Sequence, residues 1–185
     1  MNVLINKILK YPRHKFMVLL FFIAWPLANV INIIPIFKGV ELTEEELAEQ
    51  EEEFRNLKLI TVIKRIIEAG IIGPYLETLV FQLVIFRLVG WIGKDSINAM
   101  ATSFFTSAIL FAAAHILKEK EWYAILIHLP LGISLALIFM VSDINNTRPV
   151  LYTTLFHGMW NTVTIALQSI VGKLYYSVKK NNTIL

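Results

Sequence analysis

Residues 71–92 read IIGPYLETLVFQLVIFRLVGWI. The stretch is long enough to cross hydrocarbon, which takes about 20 apolar residues. It carries one carboxylate, Glu77, with Thr78 and Gln82 close behind it. An ionisable side chain inside a membrane segment is expensive and marks a candidate functional site. Of the chain's 14 acids, eight crowd one glutamate run over 41–53. Glu68 falls in an amphipathic stretch, while Asp95, Glu119, Glu121 and Asp143 fall in predicted loops. Glu77 is therefore the one acid placed within a predicted span.

Further apolar segments lie at 16–37, 96–117, 121–141 and 149–172, joined by short polar connections at 93–95, 118–120 and 143–148. The expected fold is all-α: a polytopic transmembrane helical bundle of about five spans plus an amphipathic interfacial helix. Composition agrees. The 185 residues are 56% hydrophobic and 17% charged, with a mean hydropathy of +0.62. Ordinary soluble domains are roughly 45–50% apolar and about 25% charged. The absence of cysteine excludes disulfide frameworks, Cys-ligated zinc and thiol chemistry. The net charge of +3 does not point to nucleic acid, because Lys and Arg gather at segment ends as in membrane proteins.

The basic start, with Lys7, Lys10, Arg13 and Lys15, precedes an apolar run too long for a cleavable signal. It reads as a retained span, kinked near Pro26, with its start in the cytoplasm. Lys173, Lys179 and Lys180 make the tail basic too, which does not fit five spans and an inside start. Residues 38–58 form an acidic polar insert in which Thr43 and Glu46 have capping-box spacing. Over 57–73, Leu59, Ile60, Ile63, Ile66 and Ile67 recur at helical spacing opposite Thr61, Lys64, Arg65 and Glu68. That pattern suits a helix lying in the interface. No internal repeat is visible, so residues 1–185 read as one membrane domain.

Three histidines, His115, His128 and His157, also fall in spans. Phe111 and His115 are four apart, as are His157 and Asn161, so each pair shares a helix face. Small residues beside them, Ala112–Ala114 and Gly158, allow close helix approach. One carboxylate and three imidazoles in a lipid-embedded bundle are a small set, and their mutual contact is expected. His128, two residues before Pro130, reads as a structural histidine serving carbonyls freed by the proline. Arg87, near a span end, reads as a snorkelling cation. Because His157 enters its span from the opposite face, a shared site needs to lie near midplane or at a helix broken at Pro130 and Gly132.

The order of an acidic motif, then F-x-x-x-H, then H-x-x-x-N, each on its own span, resembles the CPBP family of CAAX proteases and bacteriocin-processing enzymes, which includes the type II CAAX prenyl endopeptidases. The resemblance covers about residues 71–172, the expected catalytic core. Glu77 matches the first glutamate of that family's E-E-x-x-x-R motif. Thr78 replaces the second, and Gln82 replaces the arginine, removing one charge of each sign together. Phe111 and His115 match the second motif, and His157 and Asn161 the third.

The resemblance implies intramembrane hydrolysis of a peptide bond in a membrane-bound or lipidated substrate. Peptide hydrolysis needs an activated water and donors for a developing oxyanion. Glu77 and His115 are assigned to the water, and His157 and Asn161 to the oxyanion, with Thr78, Gln82 and Phe111 in support. The alternative is a single divalent metal such as zinc, held by Glu77, His115 and His157 with water in the fourth position. The expected setting is the lipid bilayer of a bacterial cell membrane. Two competing functions remain at this point: a non-catalytic membrane partner or bacteriocin-immunity protein with a degenerate site, and a small transporter or proton pathway.

Overall fold

The computed structural model describes residues 12–37, 48–49, 52–54, 56–94, 96–120 and 122–182. The basic residues before 12 and the proposed Thr43–Glu46 cap lie outside them, as does most of the acidic insert. The described chain is helical: α1 Arg13–Phe37, α2 Leu59–Gly93, α3 Ile97–Glu119, α4 Ala124–Ile144 and α5 Pro149–Asn182. Helices α2, α3 and α4 are each long and apolar enough to cross a membrane, and the apolar stretch of α1 is the shorter His14–Val30. This is a helical membrane bundle.

The helix ends follow local chemistry. Ser96 caps α3, its Oγ accepting from the Ala99 amide at 3.2 Å, which satisfies one of the orphan donors of the first turn. Lys94 and Lys120 end α2 and α3 in the left-handed conformation, with φ of 51° and 59°, so each connection is only a few residues and its two helices pack antiparallel. Glu119 and Asp143, expected in loops, occupy the last turns of α3 and α4.

Helix α2 differs most from expectation. The amphipathic stretch Leu59–Ile67 is continuous with the span, with Leu59, Ile60, Ile63 and Ile67 exposed on its apolar face. Two π-helical segments, Glu68–Ile72 and Thr78–Val84, flank the α-helical turn Gly73–Glu77. Pro74 has no N–H to give to the preceding turn and its ring crowds a regular α-helix. The wider turn ahead of it, in which the Gly73 amide reaches back to the Glu68 carbonyl, accommodates the ring without breaking the helix. Each π segment also turns the following residues about the axis, and such segments are frequent at functional sites.

Helix α4 is unbroken, with Pro130 inside it, so the expected break at Pro130 and Gly132 does not occur. Ser134 Oγ donates to the Pro130 carbonyl at 2.7 Å. Gly132 instead brings α4 onto α3: a Cβ there would lie 2.6 Å from the Ala108 carbonyl oxygen. Helix α1 runs through Pro26 as one helix.

A core of Phe111, Leu131, Leu135, Ile138, Phe156 and Trp160 joins α3, α4 and α5, and α1 packs on it through Ala24 and Ala28. Trp25 Nε1 donates to Thr164 Oγ1 at 3.2 Å. Many large apolar side chains on the outside, such as Phe22, Val80, Trp91 and Ile109, are exposed, as a lipid-facing surface requires.

Candidate active site

The site forms where α2 and α5 cross in contact. Gly158 lies directly against the Gly70 carbonyl oxygen, which leaves no room for a Cβ on Gly158, and a Cβ on Gly70 would meet Thr162 Oγ1 at 2.6 Å. Asn161 Nδ2 donates to the Ala69 carbonyl at 2.7 Å. Farther along, Glu77 Oε2 lies 3.6 Å from His157 Nε2. As numbering rises along α2 it falls along α5, so the two helices are antiparallel.

The meeting of Glu77 and His157 resolves the difficulty posed by their entry from opposite faces. Arg87 forks onto Asp143 with contacts of 3.0 Å and 2.6 Å, so the turn leading into α5 is level with Arg87 rather than with the end of α2. From Arg87 back to Glu77 is roughly 15 Å of helix, and from Pro149 to His157 roughly 12 Å. The two side chains therefore reach similar depth. Arg87, read from sequence as a snorkelling cation, makes this ion pair with its side chain still largely exposed.

His157 is almost fully buried, at 2% side-chain exposure, while Glu77 is 37% exposed. Both line a cavity of about 1060 Å³, together with His115, His128, Trp160 and Asn161. The cavity runs to exposed residues at one end of the bundle, including Glu68, Lys118, Glu119 and Gln168. The four residues expected to carry the chemistry, Glu77, His115, His157 and Asn161, thus share one cavity.

Phe111 stands between the two imidazoles. Its ring lies edge-on to His157 at 5.4 Å between centroids and 5.0 Å from His115, and Phe81 packs edge-on against its other side. The Phe111 carbonyl also accepts from His115 Nδ1 at 3.0 Å. A carbonyl can only accept, so Nδ1 carries the proton and Nε2 presents a lone pair. For His157 the nitrogen facing the carboxylate is Nε2, and its Nδ1 is buried with no hydrogen-bond partner among the described residues. A neighbouring carboxylate favours the proton on Nε2.

The two remaining motif residues behave differently. Thr78 and Gln82 are fully buried and do not line the cavity. Thr78 Oγ1 and both polar atoms of the Gln82 amide lack hydrogen-bond partners among the described residues.

His128 departs from its sequence reading. Its partner is Glu119, with Nε2 to Oε1 at 2.6 Å, not carbonyls freed by Pro130, and its ring stacks on His115. The contact with His115 is expected among the in-span histidines, but sequence reasoning missed Glu119, although it stands four residues after His115 on α3, the spacing that places two side chains on one face.

As a metal site the arrangement is incomplete. Glu77 and His157 have the separation of two ligands on one ion, but among the described residues no three His, Cys, Asp or Glu side chains are grouped to hold a metal.

Residues 60–163 match the family described as type II CAAX prenyl endopeptidase Rce1-like. The chain belongs to that family. No curated protein and no solved structure matches it. The Rce1-like match takes in α3 and α4 entire, nearly all of α2 and the first half of α5, and so contains Glu77, His115, His157 and Asn161. Membership supports a CAAX-type intramembrane protease in kind, with a membrane-associated peptide as the class of substrate, and an integral membrane location.

Proposed function

We propose that this chain is an intramembrane endopeptidase that hydrolyses a peptide bond in a membrane-bound or lipidated substrate, in a bacterial cell membrane. The observation that carries the reading is the Glu77–His157 pair at 3.6 Å on the wall of a cavity that also holds His115 and Asn161.

A water in the cavity is held by the Glu77 carboxylate and by the lone pair of His115 Nε2. Glu77 takes one proton as the water oxygen attacks the scissile carbonyl carbon. The carbonyl oxygen becomes an oxyanion and accepts from His157 Nε2–H and from the second amide N–H of Asn161, whose first is bound to Ala69. Collapse of the tetrahedral intermediate breaks the C–N bond, and the proton on Glu77 passes to the leaving amine. The carboxyl and amine products and the starting carboxylate balance the step.

Glu77→Gln tests the reading. With the purified chain in vesicles and a quenched lipidated peptide, the variant is expected to lose at least about a hundredfold in cleavage rate while keeping its expression and melting temperature. Unchanged cleavage by Glu77→Gln overturns the mechanism.

A second reading is favoured by Thr78 and Gln82. Their buried, unpartnered polar groups suit a site that has lost an acid and an arginine, and with them its activity. The chain would then be a membrane partner or bacteriocin-immunity protein, and Glu77→Gln would leave that role intact.

A further inference from the structure

The Nδ1–H bond to the Phe111 carbonyl fixes one edge of the His115 ring, but a ring held at one atom still rocks about that contact. The plane is set by something else. The His128 ring lies over it, with centroids 3.7 Å apart and planes 20° from parallel. His128 is held in turn by Glu119 through the 2.6 Å contact at Nε2. Glu119 stands one turn beyond His115 on α3, and His128 projects from the first half of α4. The three side chains therefore close a loop across the α3–α4 turn, all of them on the cavity wall.

We infer that His128, braced by Glu119, is a positioning residue that clamps the His115 imidazole in the plane that presents Nε2 to the cavity. The inference builds on the role proposed for His115 in holding water. A bound water needs its acceptor within a few tenths of an ångström of one place, and such placement comes from neighbours that lock the rotamer. A flat ring against one face removes the rocking motion at no cost in hydrogen bonds. Glu119 prevents His128 from swinging out into the cavity, where it would block the approach of a peptide.

The test uses the full chain in nanodiscs with ¹⁵N-labelled histidine. His128→Leu removes the stack, and His128→Phe restores a flat ring without the bond to Glu119. The imidazole ¹⁵N signals of His115 report its tautomer and its mobility. In the parent chain one sharp Nδ1–H tautomer is expected. In His128→Leu the His115 signals are expected to broaden or split, and in His128→Phe to sharpen only in part, since the ring returns without the Glu119 brace. Kinetics on the quenched peptide should show kcat lowered about tenfold or more in His128→Leu with KM little changed, and partly recovered in His128→Phe. His115 signals unaltered in His128→Leu overturn the clamp, whatever the activity. Altered signals with unchanged kcat sustain the clamp and overturn instead the catalytic role given to His115.

Discussion

Gly158 of α5 rests on the Gly70 carbonyl oxygen of α2, and this backbone contact sets the spacing at which Glu77 meets His157. Small residues at such crossings let two membrane helices approach to van der Waals distance. The site depends on them as much as on its polar groups.

Gly158→Ala should push α5 away from α2. Forcing one methyl into a packed contact typically costs 1–3 kcal/mol, and roughly 2–4 °C of melting temperature accompanies each kcal/mol in a chain of this size. Cleavage should fall further than stability does, since the Glu77–His157 spacing opens with the helices. Thermal melting and peptide cleavage on one preparation check both. An unshifted melting temperature would show that the contact is not tight.

Asn161→Ala removes the proposed oxyanion donor and leaves the Ala69 carbonyl without its partner. The loss of one such donor costs about 10²–10³ in kcat, and the orphaned acceptor about 1–3 kcal/mol of stability. Asn161→Asp retains the size and loses both N–H donors, so a comparable loss of kcat is expected. Near-normal turnover in both variants would remove Asn161 from the mechanism.

Thr78→Glu and Gln82→Arg each place a lone charge in a fully buried position and should each lower folded yield. Made together, they supply partners of opposite sign one turn apart on α2. Breaking a buried pair costs about 3–5 kcal/mol, so the double variant should be more stable than the sum of the singles predicts by an amount of that order. A double-mutant cycle on melting temperature measures it. Simple additivity would mean that the two positions do not face each other.

Extraction of divalent ions with a chelator, followed by its removal, is expected to leave the rate of peptide cleavage within twofold. A loss restored by added zinc would instead place a metal between Glu77 and His157 and recruit a third ligand by movement.

Much of the bundle is legible in the sequence, because hydropathy reports the lipid-facing surface and the polar connections report its ends. The pairing of Glu77, His115, His157 and Asn161 is legible too, since four-residue spacing fixes the face within each helix. Other features arise only from tertiary packing. The π segments around Pro74 leave the apolar pattern of α2 intact, so periodicity passes over them. The stack of His128 on His115 joins side chains from two helices, and no spacing rule within one helix finds it. The level of the α4–α5 turn is set by the Arg87–Asp143 pair, and helix lengths counted from the ends of α2 misplace it.

That level gives the bundle a step. Helix α2 continues from Arg87 to Gly93, roughly 9 Å farther than the turn that carries Asp143. Lipid wrapping the α4–α5 corner meets a shorter apolar wall than lipid beside α2, where Trp91 and Ile92 stand exposed. Hydrocarbon adapts to such mismatch by thinning, at a cost of fractions of a kcal/mol per Å. Acyl-chain length is then expected to be a variable of the proposed activity: short-chain lipids relieve the mismatch, and long-chain lipids load it onto the α2–α5 contact.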